Sequence, residues 1–399
     1  MNTTLPLLAG LCVAAAPLHA AAYRLVDLGT IHGESHAFTI SGIRGGPRLI
    51  AGSSTGIGAH FSAYRFAPDT IVLAPLAPDR EAALLDLASD GTAVGVSYSL
   101  GGMTWTSFIS SPGGISTSGP FAARAINANA EIAGTTTVIS SNFGGLTLPR
   151  ACRVTSGNVQ ALPTLGGSTS LGLAIDDAGR VAGSSMNANN AASRPCLWIG
   201  LTATDLGTLG GLSGQVYALR SDAAVGASQL ASGVWHATKW NLSAGGAVTS
   251  RIDLGALGPS EASTAHAINA AGDVVGTSNF RAFLWHTGVM TDLNTLASAP
   301  GWVLETAWDI DDLGRIVGTG SLWGIPRAFL LTLPCPADLN ADDFVDDGDF
   351  QSFAAAYDIL LCSDPSMPAG CPADLSADSN VDDADFSQFA AAYNELYCP

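Results

Sequence analysis

Charge is what this sequence has least of. Charged residues make up 13% of its 399 positions, and only 16 are Lys or Arg, about half the usual share. So few bases exclude a nucleic-acid binder, which needs a basic face to neutralise phosphates. With 34 acids the net charge is −18, yet 47% of the residues are apolar. That apolar content excludes an acidic disordered chain, which could not bury enough surface to fold. Long hydrophobic runs are also missing: past the N-terminus nothing approaches 18 apolar residues, so no transmembrane helix is expected. The seven histidines give a single His-x-x-x-His spacing, His32 to His36, and no further histidine beside it, too few ligands for a histidine metal centre.

What charge there is lies unevenly. From Cys335 to Pro399 there are 14 acids and no base, whereas the first 334 residues hold 20 acids and all 16 bases. That step marks a domain boundary near Pro334. Residues 1–22 form an apolar run ending in Ala20-Ala21-Ala22, which reads as a secretory signal with a small-residue cleavage site. An extracellular or cell-surface location is expected. Four cysteines, Cys335, Cys362, Cys371 and Cys398, crowd into the tail, as in a small domain stapled in an oxidising compartment.

Residues 23–334 repeat one unit. Its best copy is Asp253-Leu-Gly-Ala-Leu-Gly, Ala265-His-Ala-Ile-Asn269, Gly272-Asp-Val-Val-Gly276 and Arg281-Ala-Phe-Leu-Trp285. One glycine recurs as Gly52, Gly95, Gly134, Gly183, Gly226, Gly276 and Gly318. A spacing of about 45 residues with four short apolar runs per copy matches a four-stranded propeller blade. The last copy lacks its fourth strand, while Tyr23-Arg-Leu-Val-Asp-Leu-Gly-Thr30 is a spare one. The expected fold is therefore all-β: a seven-bladed β-propeller whose N-terminal strand closes the last blade, followed by a small helical calcium-binding domain. Asp205-Leu-Gly-Thr-Leu-Gly-Gly211 and Arg281-Ala-Phe-Leu-Trp285 resemble the HAF-repeat family of secreted bacterial proteins. That resemblance implies extracellular repeats without an assigned activity.

The tail is a second repeat, with copies starting at Cys335 and Cys371. Calcium takes six to eight hard oxygens, and an EF-hand-like loop supplies them from positions 1, 3, 5, 7, 9 and 12. In the first loop these are Asp338, Asn340, Asp342, the Phe344 carbonyl, Asp346 and Asp349. In the second they are Asp374, Ser376, Asp378, the Asn380 carbonyl, Asp382 and Asp385. Each loop leads into a stripe at helical spacing, Phe350, Phe353, Tyr357 and Leu360, then Phe386, Phe389, Tyr393 and Leu396, which predicts a packed helix pair.

Two such loops with Asp at position 12 resemble a type I dockerin module. The resemblance implies two calcium ions and calcium-dependent attachment to a cohesin-like or other cell-surface receptor, often beside polysaccharide-degrading proteins. Asp343 and Ser379 stand at position 6, where glycine makes the sharp turn, so weakened calcium binding is expected. Asp347-Gly348 and Asp383-Ala384 replace the usual receptor-reading pair. The framing of each unit by two cysteines predicts Cys335–Cys362 and Cys371–Cys398 bridges, whereas Cys152 and Cys196, equivalent positions on adjacent blades, are expected as buried thiols.

The propeller offers little catalytic chemistry. Gly52-Ser53-Ser54-Thr55-Gly56 matches a nucleophile-elbow pattern but lies on a predicted strand, not at a strand–helix turn. Asp176, Asp177, Asp309, Asp311 and Asp312 are the candidates for paired carboxylates, and most sit where an Asp caps its own turn. His36 and His266 read as repeated packing residues. Trp198, Trp240 and Trp285 recur in register and are expected between blades; Trp302, Trp308 and Trp323 break register and are candidates for a sugar-stacking platform. These features predict a secreted, non-catalytic binding or scaffold protein with a polysaccharide among its candidate ligands, the alternative being a carbohydrate-active enzyme.

Overall fold

The computed structural model describes residues 23–28, the strands and short turns between 34 and 140, and then 144–297, 299–333, 335–340 and 345–395. The expected signal segment lies outside the described residues. Seven four-stranded antiparallel sheets are paired, over 34–72, 80–117, 121–161, 166–205, 210–255, 263–292 and 302–332. Within each, strands neighbour one another in chain order, and successive sheets adjoin around a common axis. The last sheet takes its outer strand from the N-terminus: Arg24 pairs with Thr332, and Asp27 with Phe329.

The expectation of seven equivalent blades is corrected to six packed ones. From residue 80 onward six sheets are described with side chains and buried cores. The sheet over 34–72 is described by strand pairing alone.

The blades are small-residue sheets wedged against one another. Their inward positions carry Ala and Val, as at Ala265, Val274 and Val275, and the third strands bring Trp198, Trp240, Phe283 and Phe329, all fully buried. Burying such a ring stabilises by roughly 2–3 kcal/mol. The indole N–H groups need partners once buried. Trp198 donates to the Pro163 carbonyl at 2.7 Å and Trp240 to that of Gly207 at 2.9 Å, each tying a blade to the segment that enters it. Trp285 is half-buried and lies 5.6 Å beneath the Lys239 ammonium of the preceding blade.

The hairpin joining the first two strands repeats one device. The oxygens of Asn127, Asp176, Asn269 and Asp311 each accept the backbone N–H four residues on, at 2.8–2.9 Å. A short polar side chain thereby replaces a missing backbone partner. In two of these turns the fourth residue is arginine, and its guanidinium closes a buried pair, Arg180 with Asp176 and Arg315 with Asp311.

The tail forms two helices, Asp347–Tyr357 and Asp383–Glu395. Phe353 and Phe389 stack at 4.8 Å between their ring centres and are both buried, so the aromatic stripe packs helix on helix. Each helix also reaches the other's loop: Tyr357 donates to Asp383, and Tyr393 to Asp347.

The expected cysteine pairing is corrected. Cys362 bonds Cys371, with 5.3 Å between their Cα atoms, inside the range a bridge requires. Cys335 is disulfide-bonded as well, and Cys398 lies outside the described residues. The bridge follows from the chain path: Leu361 pairs with Asn380 and Val381 donates to the Leu360 carbonyl. The end of the first unit is thus held beside the second loop. Cys152 and Cys196 are free and buried, and burial pushes the Cys152 thiol up to about 12.

Candidate functional site

The recurring glycine and the interior of the propeller have one cause. In every sheet this glycine, on the second strand, pairs with the residue just before an irregularity in the innermost strand. Gly95 pairs with Leu84, Gly134 with Ala123, Gly183 with Gly172, Gly226 with Val216, Gly276 with Ala265 and Gly318 with Ala307. The register then skips one residue, which is a β-bulge. A Cβ at the glycine would fall 2.0–2.2 Å from the carbonyl oxygen of Ala122, Leu171, Gln215, Thr264 or Thr306, far inside any allowed contact. Only glycine tolerates the bulged strand this close.

The residue skipped at each bulge turns into the central channel. These residues are Leu85, Arg124, Leu173, Tyr217, His266 and Trp308, and all six line a cavity of about 450 Å³ together with Asp86 and Asp309. Phe38 holds the same register position in the sheet over 34–72. The frame is repetitive, but the residues it delivers to the channel are not. Apolar walls carrying a few polar groups are what a ligand pocket needs.

Three of these residues form a continuous aromatic wall. The His266 ring lies 4.6 Å from that of Trp308 and 5.7 Å from that of Tyr217, edge to face with the latter. The Trp308 indole is oriented by a 3.2 Å hydrogen bond from Nε1 to Thr319 Oγ1. His266 keeps some accessible surface because it faces the channel, but protein surrounds it, and that desolvation lowers its pKa to about 4. Its Nε2 has no hydrogen-bond partner among the described residues. Asp86 lies in the same interior, and burial raises its carboxyl to about 6, against the pull of the Ile126 and Leu87 N–H groups, which it accepts at 2.7 and 2.8 Å.

The residues singled out in the sequence separate on this frame. Of the three tryptophans, only Trp308 reaches the channel. Trp302 packs against the core of the last blade, and Trp323 is 75% exposed, so they do not form one stacking platform. The carboxylates considered for catalysis are engaged: in the turns, Asp177 accepts from Ala128 and Asp312 from Ala270 and Arg220, and on the strand Trp302–Ile310, Asp309 accepts from Ile310. Gly52–Thr55 lies within a strand, Leu49–Thr55, the wrong setting for a nucleophile elbow.

His266 was expected to match His36. The register instead pairs His36 with Ser53, one residue before the Gly52 pairing, which makes it equivalent to Thr264. His266 therefore faces the channel and is not a packing repeat.

In the tail, the second loop brings Asp374, Asp378 and Asp385 together, with one carboxylate oxygen from each lying within 4.8 Å of the others. Oxygens about 2.4 Å from a shared calcium ion would lie no farther apart than that, so the donor set fits. Ser376 Oγ is 3.5 Å from Asp374 Oδ1. Asp349 and Asp385, at position 12, are fully buried. Burial works against the charge of Asp385, but the N–H groups of Asp382 and Ser376 outweigh it and hold the carboxyl below its ordinary range. Position 9 also caps the helices: Asp346 receives the Gly348 N–H and Asp382 that of Ala384, each at 2.8 Å. Asp338, Asn340 and Asp346 flank the first loop, while Asp342 and Phe344 lie outside the described residues. Cys362 and Cys371 lie beside Asp374 but are joined to each other and are not thiolate ligands.

No family model and no curated protein matches the chain. Among solved structures it is similar to TolB from Acinetobacter baumannii, at 10% identity and a TM-score of 0.43, over 73% of this chain and 65% of that one. It is similar to prolyl oligopeptidase B from Galerina marginata, at 10% identity and 0.47, over 76% and 48%. A Trypanosoma rangeli sialidase in complex with sialic acid aligns at 11% and 0.39, over 88% and 62%. The chain thus spans less than two thirds of each of these proteins. Among the described residues no helix is long and apolar enough to cross a membrane.

Proposed function

We propose that the chain is an exported, non-catalytic binding protein. Its propeller holds a ligand in the central channel, and its acidic tail, ordered by calcium on two loops, attaches it to a cell-surface or cohesin-like receptor. The observation that carries this reading is the bulge: a repetitive frame delivers Leu, Arg, Leu, Tyr, His and Trp to one cavity. A frame kept only for its own stability would repeat the lining as it repeats the walls. The candidate carboxylates for hydrolysis already accept backbone hydrogen bonds, most of them at turns, which favours binding over turnover.

Replacing Leu173 with Trp should fill the channel without touching the packed blades. A small-molecule library read by thermal shift should contain compounds that stabilise the wild type and not this variant. A library giving identical responses in both would refute the channel as the site, and sustained polysaccharide turnover by the full chain would refute the non-catalytic reading. In the tail, calcium should raise the melting temperature of the full chain, and Asp338→Ala with Asp374→Ala should abolish that response. An unchanged response would sink the ligand assignment.

A further inference from the structure

Most described arginines are engaged, and Arg150 and Arg251 donate to the Ser168 and Leu206 carbonyls. Arg153, Arg180, Arg194, Arg220, Arg281 and Arg315 are each ion-paired. Arg124 is exposed to the channel and has no such partner among the described residues. No ion pair joins it to Asp86 on the neighbouring sheet, whose oxygens accept the Leu87 and Ile126 N–H groups. Asp309 likewise accepts from Ile310. A guanidinium offers five donors in a planar fork that matches a carboxylate or phosphate, and this one is unspent in a protein of net charge −18.

The aromatic wall lies across the channel from that cation. Sheets follow one another around the axis in chain order, so the strand of Arg124, in the third sheet, faces those of His266 and Trp308, in the sixth and seventh. A flat ring can lie against Tyr217, His266 and Trp308, while a group projecting from it reaches across to the guanidinium. The Asp86 and Asp309 carboxylates of the same lining are turned to backbone N–H groups, so an anionic group is placed at the Arg124 fork and not beside them.

We infer that the channel takes a small organic anion built on a flat unsaturated ring, its anionic group held by Arg124 and its ring by the Tyr217–His266–Trp308 wall. This inference rests on the reading of the channel as the ligand site.

The test is calorimetric titration of the full chain with 2-naphthoate, its neutral counterpart 2-naphthamide and the non-planar cyclohexanecarboxylate. Naphthoate should bind at least tenfold more tightly than either of the others, as expected when a charge-assisted contact or a ring contact is lost. Arg124→Gln should weaken naphthoate to the level of the amide, and Arg124→Lys should retain part of the preference. Arg124 packs in no core, and an unchanged melting temperature verifies that the variants fold. Equal affinities for naphthoate and naphthamide, or an Arg124→Gln variant that binds naphthoate as well as the wild type, would overturn the anion assignment. If Leu173→Trp still removed the binding, the channel reading would survive that result. Failure of the wild type to bind naphthoate overturns the inference, and the library comparison above then decides the channel reading separately.

Discussion

At the scale of single residues, the channel holds two titrating groups whose folded-state pKa values are displaced toward each other. Asp86 is raised to about 6 by burial and His266 is lowered to about 4 by desolvation. For Asp86, the folded state binds a proton that the unfolded state releases between about pH 4 and 6, so stability falls as pH rises through that window. For His266, the unfolded state takes up a proton near pH 6.5 that the folded state refuses until about 4, so stability falls as pH drops through the same range. The two effects oppose, so together this pair contributes little slope where either alone would contribute one. Asp86→Asn removes one of them. The variant should lose stability relative to its own neutral value on acidification from pH 6.5 to 4, as urea unfolding at several pH values would measure. A variant whose profile parallels the wild type would show that Asp86 does not titrate there. Neither group could be singled out from the sequence: Asp86 lies among many acids, and His266 reads as packing until the register is known.

At the scale of elements, the strands were legible and the bulges were not. Four short apolar runs and a recurring glycine identify the blade, because pairing and packing leave a period in the sequence. A bulge leaves no such mark, since the residue it ejects packs against nothing that repeats, and its type is free to differ between blades. The glycine was the visible half of the pair, and Thr264 and Ala265 opposite Gly276 explain why it must be glycine. The same physics reaches the tail. Ser379 was expected to weaken the second calcium loop, and it makes the sharp turn regardless, at φ 73°. A non-glycine residue held there costs about 1 kcal/mol. Ser379→Gly should recover that energy, tightening calcium binding about fivefold in a chelator competition. Its N–H to Asp374, at 2.9 Å, is a backbone bond that glycine retains. No gain in affinity would mean that the turn is not what limits the loop.

At the scale of the whole molecule, legibility depended on whether a constraint was unique. The spare strand at Tyr23 followed from an incomplete last copy. Cysteine pairing did not follow. Equal framing of the two units satisfied one scheme, while the chain path that brings Leu361 to Asn380 selects another. The N-terminal strand is the clasp of the propeller. Tyr23 is buried and donates its N–H to the Leu296 carbonyl at 2.9 Å, Leu25 packs against the same core, and the strand covers Phe329–Thr332. Deleting residues 23–28 would expose that edge and take Tyr23 and Leu25 from the core, at a cost of about 4 kcal/mol. An uncovered edge also invites pairing with another chain. The truncated protein should melt several degrees lower and sediment as larger species, whereas the full chain at the same concentration should not. If the truncated chain stayed monodisperse with an unchanged melting temperature, the last sheet would be stable with three strands, and the N-terminal strand would cover an edge that needs no closing.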